Sequence, residues 1–189
     1  RENEWEAAAA VYLCRDPSAS LDFASLKSIP KKGRRADILA TALSILLSQA
    51  GERVGLLGEG RRPYHGRNAP ARILEALIMA TDTSPTPPAA HPRPGERIVL
   101  FSDFYTDIDA VEQSVRALSD GGATGALVQI CDPAEEEFPY NGRVEFRDLE
   151  SRDRLTFGDT AALSGSYKTQ FAAHRSALEN ISRKAGWIF

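Results

Sequence analysis

Two stretches of this chain carry oxygen-bearing side chains able to meet at one point. Asp16-Pro17-Ser18-Ala19-Ser20 follows an apolar run that includes Val11 to Cys14, and Ser102-Asp103-Phe104 follows another that ends at Phe101. An Asp-x-Ser-x-Ser loop at a strand end turns one carboxylate and two hydroxyls toward a common point. A second carboxylate on a neighbouring strand adds another oxygen. Few carboxylates, neutral oxygens and room for retained water suit a hard cation such as magnesium or manganese, bound weakly. A donor set made only of oxygen argues against zinc or copper. The same residues have a plainer use, because Asp and Ser after a strand often satisfy nearby backbone amides in turns and caps. Both readings stand for Asp16 taken alone, and the arrival of Asp103 on a second strand favours the cation.

These residues need a scaffold that brings strand ends together. Apolar runs predict strands at 7–14, 53–57, 97–101 and 126–130, and periodic apolar positions predict a helix over 37–49 that stops at Gly51. Gly58-Glu59-Gly60 can turn the second strand back into an antiparallel edge at 61–64. Asn68-Ala69-Pro70 has the form of a helix start, with Asn as cap and Pro in the first turn, and that helix should run to about Ala80. Residues 81–95 hold five prolines and read as a stiff linker. The linker enters the next strand from its amino end, which gives it no role in a site at the carboxyl ends. A helix over 107–120 closes at Gly121-Gly122. Asn141-Gly142 introduces a small hairpin of 143–147 and 154–157. A long helix covers 161–184, and Trp187-Ile188-Phe189 begins a last strand.

Strands alternating with helices predict a mainly parallel sheet covered on both faces, in one domain over 1–189. In such sheets ligands bind beyond the carboxyl ends of the strands. The strands of Val11, Val54, Val99 and Val128 should be parallel neighbours, with the first beside the one that delivers Asp103.

Composition limits the partners. The formal net charge is −3, whereas nucleic acids and anionic membranes call for a basic field. The basic cluster Lys31, Lys32, Arg34 and Arg35 reads as a solvated loop before a helix. Cys14 and Cys131 read as buried thiols of a reducing compartment, and with three scattered histidines they make no zinc spacing. No apolar stretch approaches the ~20 residues of a membrane span, and no signal peptide opens the chain. A cytoplasmic location is expected, with any anchor lying outside this segment. The chain opens on Arg1, as a piece of a longer protein would.

The order Asp-x-Ser-x-Ser, hairpin, helix, Ser-Asp-Phe and Asp-Pro-x-Glu resembles a bacterial family, domain of unknown function 58, which is similar to von Willebrand factor A domains. The resemblance rests on residues 11–20, 52–57 and 99–104, on Cys131-Asp132-Pro133-Ala134-Glu135 with Pro139, on Arg147-Asp148-Leu149-Glu150, and on Tyr167, Phe171 and His174. It implies a Rossmann-like three-layer fold of the von Willebrand factor A type with one antiparallel edge strand. It also implies a metal-ion-dependent adhesion site of Asp16, Ser18, Ser20 and Asp103, and a partner of the MoxR-type AAA ATPase class in a chaperone or assembly role. Such sites add a Thr from the loop before the third helix, where this sequence has Gly66-Arg67-Asn68-Ala69. Asn68 offers an amide oxygen to a cation or caps its helix, and the Arg67 guanidinium can stand in for the cation.

Among the remaining candidates, Asp132 and Glu135 to Glu137 follow a strand and either line the same rim or, the preferred reading, form an exposed acidic loop; Trp5 and Trp187 read as packing residues, and His174 as a surface or interhelical residue. A haloacid-dehalogenase-type phosphatase would need a second acid where Ser18 stands, and the phosphate-binding loop, nucleophile elbow and His-Glu-x-x-His motifs do not occur. The sequence therefore favours a metal-assisted protein-binding module over a metal-free structural domain, and both over a metal-dependent hydrolase or phosphatase.

Overall fold

A computed structural model describes residues 10–58, 62–80, 84–147, 149, 154–158 and 160–189. Four strands form one parallel sheet: β1 (Ala10–Arg15), β2 (Arg53–Leu56), β3 (Arg97–Ser102) and β4 (Thr124–Gln129), in the order β2-β1-β3-β4. The expected adjacency of β1 and β3 is present, with Arg15 opposite Phe101 in the register. Two interior strands thus end side by side and deliver Asp16 and Asp103 to the same edge. An antiparallel pair, β5 (Val144–Arg147) and β6 (Arg154–Phe157), stands apart from this sheet as the Asn-Gly turn predicts.

Helices cover both faces, which makes this a Rossmann-like α/β arrangement. On one face α1 (Lys32–Gln49) and α2 (Ala69–Met79) bury Ala36, Ala40, Ile73 and Leu77 against Val11, Leu13, Val54, Leu56 and Phe101. On the other, α3 (Ile108–Asp120) and α5 (Ala161–Ala185) bury Val111, Val115, Leu118, Leu178 and Ile181 against Ile98, Leu100 and Leu127. Each strand places alternate side chains in the two cores, so its apolar run is nearly continuous. A short helix, α4 (Pro133–Glu137), follows β4. The Asp107 carboxylate caps α3 by accepting from the Asp109 amide at 3.0 Å.

Four expectations need correction. Helix α1 starts at Lys32, five residues before its apolar periodicity, because its first turn is held by polar contacts: Lys32 is buried and Arg35 donates to the Cys131 carbonyl at 3.2 Å. Of the edge expected at 61–64, the described residues 62–64 form one antiparallel bridge, between Tyr64 and Val54, next to Pro63, which has no N–H to give a ladder. The last strand is likewise a single bridge from Ile188 to Ala126. Beside it Gly125 is required by space, since a Cβ there would lie 2.3 Å from the Ile98 carbonyl oxygen and 2.8 Å from the Trp187 ring. Helix α4 was not expected, although its Asp132-x-x-Glu135 start is a capping box. Trp5, the turn at 59–60 and the start of the linker at 81–83 lie outside the described residues.

The linker does more than connect. Its far end packs at the amino pole, where the Gly95 amide meets the Gly122 carbonyl. Its near end, Ser84 to Pro88, lies at the carboxyl pole and walls a cavity of about 310 Å³ together with Asp16, Ser102 and Leu77. The expectation that the linker has no place near the acids therefore holds only for its second half.

Candidate functional site at the carboxyl edge of the sheet

Asp16 and Ser18 are buried and Ser20 is half-buried. The chain leaves β1 with the Asp16 amide still bonded to the Phe101 carbonyl, which fixes the acid against β3. One carboxylate oxygen of Asp16 accepts from the Ser18 amide at 2.8 Å, and the other accepts from the Ser102 hydroxyl at 2.5 Å. Ser102 in turn accepts from the Phe104 amide at 2.7 Å. That bond helps hold Phe104 in the left-handed region at φ 58°, a conformation that costs a bulky residue about 1–3 kcal/mol and recurs at functional sites. Among the described residues the donors bonded to the Asp16 carboxylate are thus a hydroxyl and an amide, both neutral.

Asp103 is arranged differently. It is buried with 1% of its surface exposed, and its oxygens face the Tyr105 amide at 3.0 Å and the Lys32 ammonium at 2.8 Å. The same ammonium reaches Glu135 at 2.6 Å and lies 4.9 Å from the centre of the Tyr105 ring. Burial alone would push the Lys32 ammonium down, but Asp103 and then Glu135 outweigh it and hold it above its ordinary value. Glu135 is steadied from behind by the Asp132 amide at 2.8 Å. Asp132 spends its own carboxylate on the amides of Ala134 at 2.9 Å and Ser25 at 3.0 Å. The start of α1, the end of β3 and the turn after β4 are therefore tied through one ammonium.

A wall of rings and one thiol closes this side. Tyr167 donates to the Glu135 carbonyl at 2.7 Å, and His174 lies against Tyr105 with ring centres 5.8 Å apart. Burial pushes the His174 imidazole below its ordinary value, opposed by Asp103 and the Phe104 backbone. Burial first, and Glu135 second, push the Cys131 thiol up to about 11, so it is a poor nucleophile at neutral pH. Cys14 and Cys131 are both half-buried.

Of the expected ligand set, Asp16, Ser18 and Ser20 share one loop at the end of β1, and among the described residues no group of three or more His, Cys, Asp or Glu side chains gathers as metal ligands. The hydroxyls of Ser18 and Ser20 stand 3.0 Å apart beside Asp16. That is an ordinary hydrogen bond, and it is also the separation of about 3 Å between adjacent oxygens bound at ~2.1 Å to an octahedral magnesium. Asp103 reaches the same pole, but its outer oxygen is taken by Lys32. Arg67 and Asn68 are not brought there. The chain at Tyr64 runs antiparallel to β2 beside Val54, and α2 then climbs until the Leu77 carbonyl meets Arg15 at 3.3 Å. Eleven residues of helix span about 16 Å, so Arg67 and Asn68 lie at the opposite end of the sheet. Both are exposed, and the Asn68 side chain makes no capping bond.

Three residues of this pole escaped the sequence reading. Lys32 sat inside a basic cluster, of which Lys31 and Arg34 are indeed exposed while Lys32 is not. For Glu135 and Asp132 the sequence prefers a solvated loop to the rim of the site, yet Asp132 is 2% exposed and Glu135 is an ion-pair partner, as residues of the rim. Only Glu136 and Glu137 fit the exposed reading. Ser102 was visible beside Asp103, but its bond to Asp16 depends on the strand register. The Asp-x-x-Glu capping spacing was the one signal that could have marked the turn after β4.

Among the described residues no helix is long and apolar enough to cross a membrane. Comparison with curated proteins gives no significant match. The model of a family described as protein of unknown function DUF58 matches residues 1–177, and the chain belongs to that family.

Proposed function

We propose that this chain is a protein–protein interaction module of the von Willebrand factor A type, working at the carboxyl edge of its sheet. In this reading Asp16, Ser18 and Ser20 hold magnesium or manganese weakly, with water filling the remaining positions. A carboxylate from the partner replaces one water. The cation supplies the positive charge for that contact, and the chain's own residues orient it: Ser102 and the Ser18 amide fix the Asp16 carboxylate, and the two serine hydroxyls face each other. The observation that carries the reading is the 3.0 Å pair of hydroxyls in the loop of an acid whose bonded partners, among the described residues, are neutral donors. The role is binding and not catalysis, the compartment is the cytoplasm, and neither nucleic acid nor membrane is the partner. The family resemblance supplies the partner class, a MoxR-type AAA ATPase, in chaperone or assembly work.

Titration calorimetry with manganese chloride on the wild-type chain and on Asp16→Ala tests the metal. Heat of binding in the millimolar range for wild type, absent from Asp16→Ala, supports the reading. Equal heats, or none, reject it. A pull-down of the ATPase repeated with a chelator tests the contact, with Arg67→Ala as the control at the opposite pole.

A metal-free structural domain is the second reading, and Lys32 favours it. An ammonium already neutralises Asp103, so the pole is held together without any added ion.

A further inference from the structure

The Lys32 ammonium occupies the point on which two carboxylates converge. Asp103 approaches it from the end of β3 at 2.8 Å and Glu135 from α4 at 2.6 Å, with relative side-chain exposures of 3% for Lys32, 1% for Asp103 and 15% for Glu135. The Phe23 and Tyr105 rings stand 5.8 and 4.9 Å from the nitrogen and wall it in. Two nearly dry carboxylates facing one point repel each other unless a cation lies between them. Hydrated surface charges have no such requirement, and the neighbouring Lys31 pairs with Asp22 in the open.

We propose that Lys32 is a resident cation, a positioning residue that takes the place of a divalent ion between Asp103 and Glu135. On this view Asp103 serves as an anchor for Lys32 and is not a metal ligand in the native protein. The pole is preformed in the absence of divalent metal, and any ion bound at Asp16 is separate from the one that the lysine replaces. The acids would coordinate a metal if the lysine were gone, since carboxylate oxygens suit manganese and the inward movement required is small. Bonds to a hard ion of this kind run to about 2.1 Å, and the present contacts are 2.6 and 2.8 Å. The inference does not depend on metal binding at Asp16.

The test is made in an Asp16→Asn background, so that the proposed site at Asp16 cannot contribute. Thermal unfolding is followed with a chelator and with millimolar manganese chloride, for chains that carry Lys32 and chains that carry Lys32→Met. Manganese should leave the midpoint of the lysine protein unchanged and raise that of the Lys32→Met protein by several degrees. Adding Glu135→Gln to Lys32→Met should abolish that rise. If Lys32→Met does not fold without metal, the same comparison is read as soluble refolded yield with manganese against chelator. The proposal is overturned if manganese fails to restore Lys32→Met, because the lysine would then be only a space-filling member of the core. It is equally overturned if manganese stabilises the lysine protein as much as the methionine one.

Discussion

The two acids at the carboxyl edge sit on adjacent strands and live in opposite electrostatic circumstances. Asp16 is held, among the described residues, by a hydroxyl and an amide, which orient its charge without neutralising it. Asp103 shares one ammonium with Glu135, so the charge of the two acids is half neutralised on site. Hydrogen bonds to neutral donors leave a carboxylate available to an outside cation, whereas a buried ion pair commits it to the fold. Sequence position makes the two acids look alike. Their partners separate them into one acid held by neutral donors and one that, through Lys32, holds three segments together.

The largest expected difference between them is in stability. Asp103→Ala leaves the Tyr105 amide without its acceptor and removes one of the two acids on a buried ammonium, which should cost about 3 kcal/mol. Asp16→Asn keeps an oxygen for the Ser18 amide and an amino group that Ser102 can accept, so it should cost less than about 1 kcal/mol. Urea unfolding of both variants checks the contrast. Equal losses would mean that the two acids are equivalent supports, and the comparison would break.

Ser102→Ala cuts on the Asp16 side. It removes the donor to Asp16 and the acceptor for Phe104, whose left-handed backbone then has less to hold it. A loss of roughly 2 kcal/mol is expected. In the same variant calorimetry should show weakened manganese binding, because the carboxylate is no longer fixed. Loss of stability with unchanged binding would show that Ser102 serves Phe104 alone.

Asp132 gives a smaller effect than Asp103 or Ser102, and one that depends on pH. Burial pushes its carboxyl up, but the bonds from Ser25, then Ala134, and the nearby Arg35 prevail and hold it below its ordinary value. Its folded-state pKa is thus lower than its unfolded one, so its contribution is fully present above the ordinary carboxylate range and disappears as pH falls through the folded value. Asp132→Ala should cost about 1 kcal/mol at neutral pH, the usual worth of an N-cap. The gap to wild type should narrow in acid. A gap that stays constant with pH would assign the effect to packing.

Much of the fold was legible because continuous apolar runs such as 97–101 can only be buried strands between two layers. The placement of Asp16 beside Asp103 followed from the topology of such sheets. Lys32 was not legible, because its partners are 71 and 103 residues away and a lysine next to three other basic residues is by default a solvated one. Arg67 and Asn68 were assigned to the wrong end of the sheet by the family resemblance, although the antiparallel direction expected at 61–64 already returns the chain to the amino end, where the next helix must start. The near end of the linker was missed because its prolines mark stiffness but not which pole they cover.

The sheet's two borders also bear on how this chain behaves among others. On β2 both backbone groups of Val54 are bonded to Tyr64, and on β4 the Leu127 amide and the Gly125 carbonyl are bonded to Ile188. Each border is therefore interrupted by its own chain, in the middle of β4 and one residue into β2. An invading strand would need a run of unpaired amides and carbonyls, and neither border offers a long one. Self-association by strand addition is thereby discouraged even in crowded or partly unfolded populations.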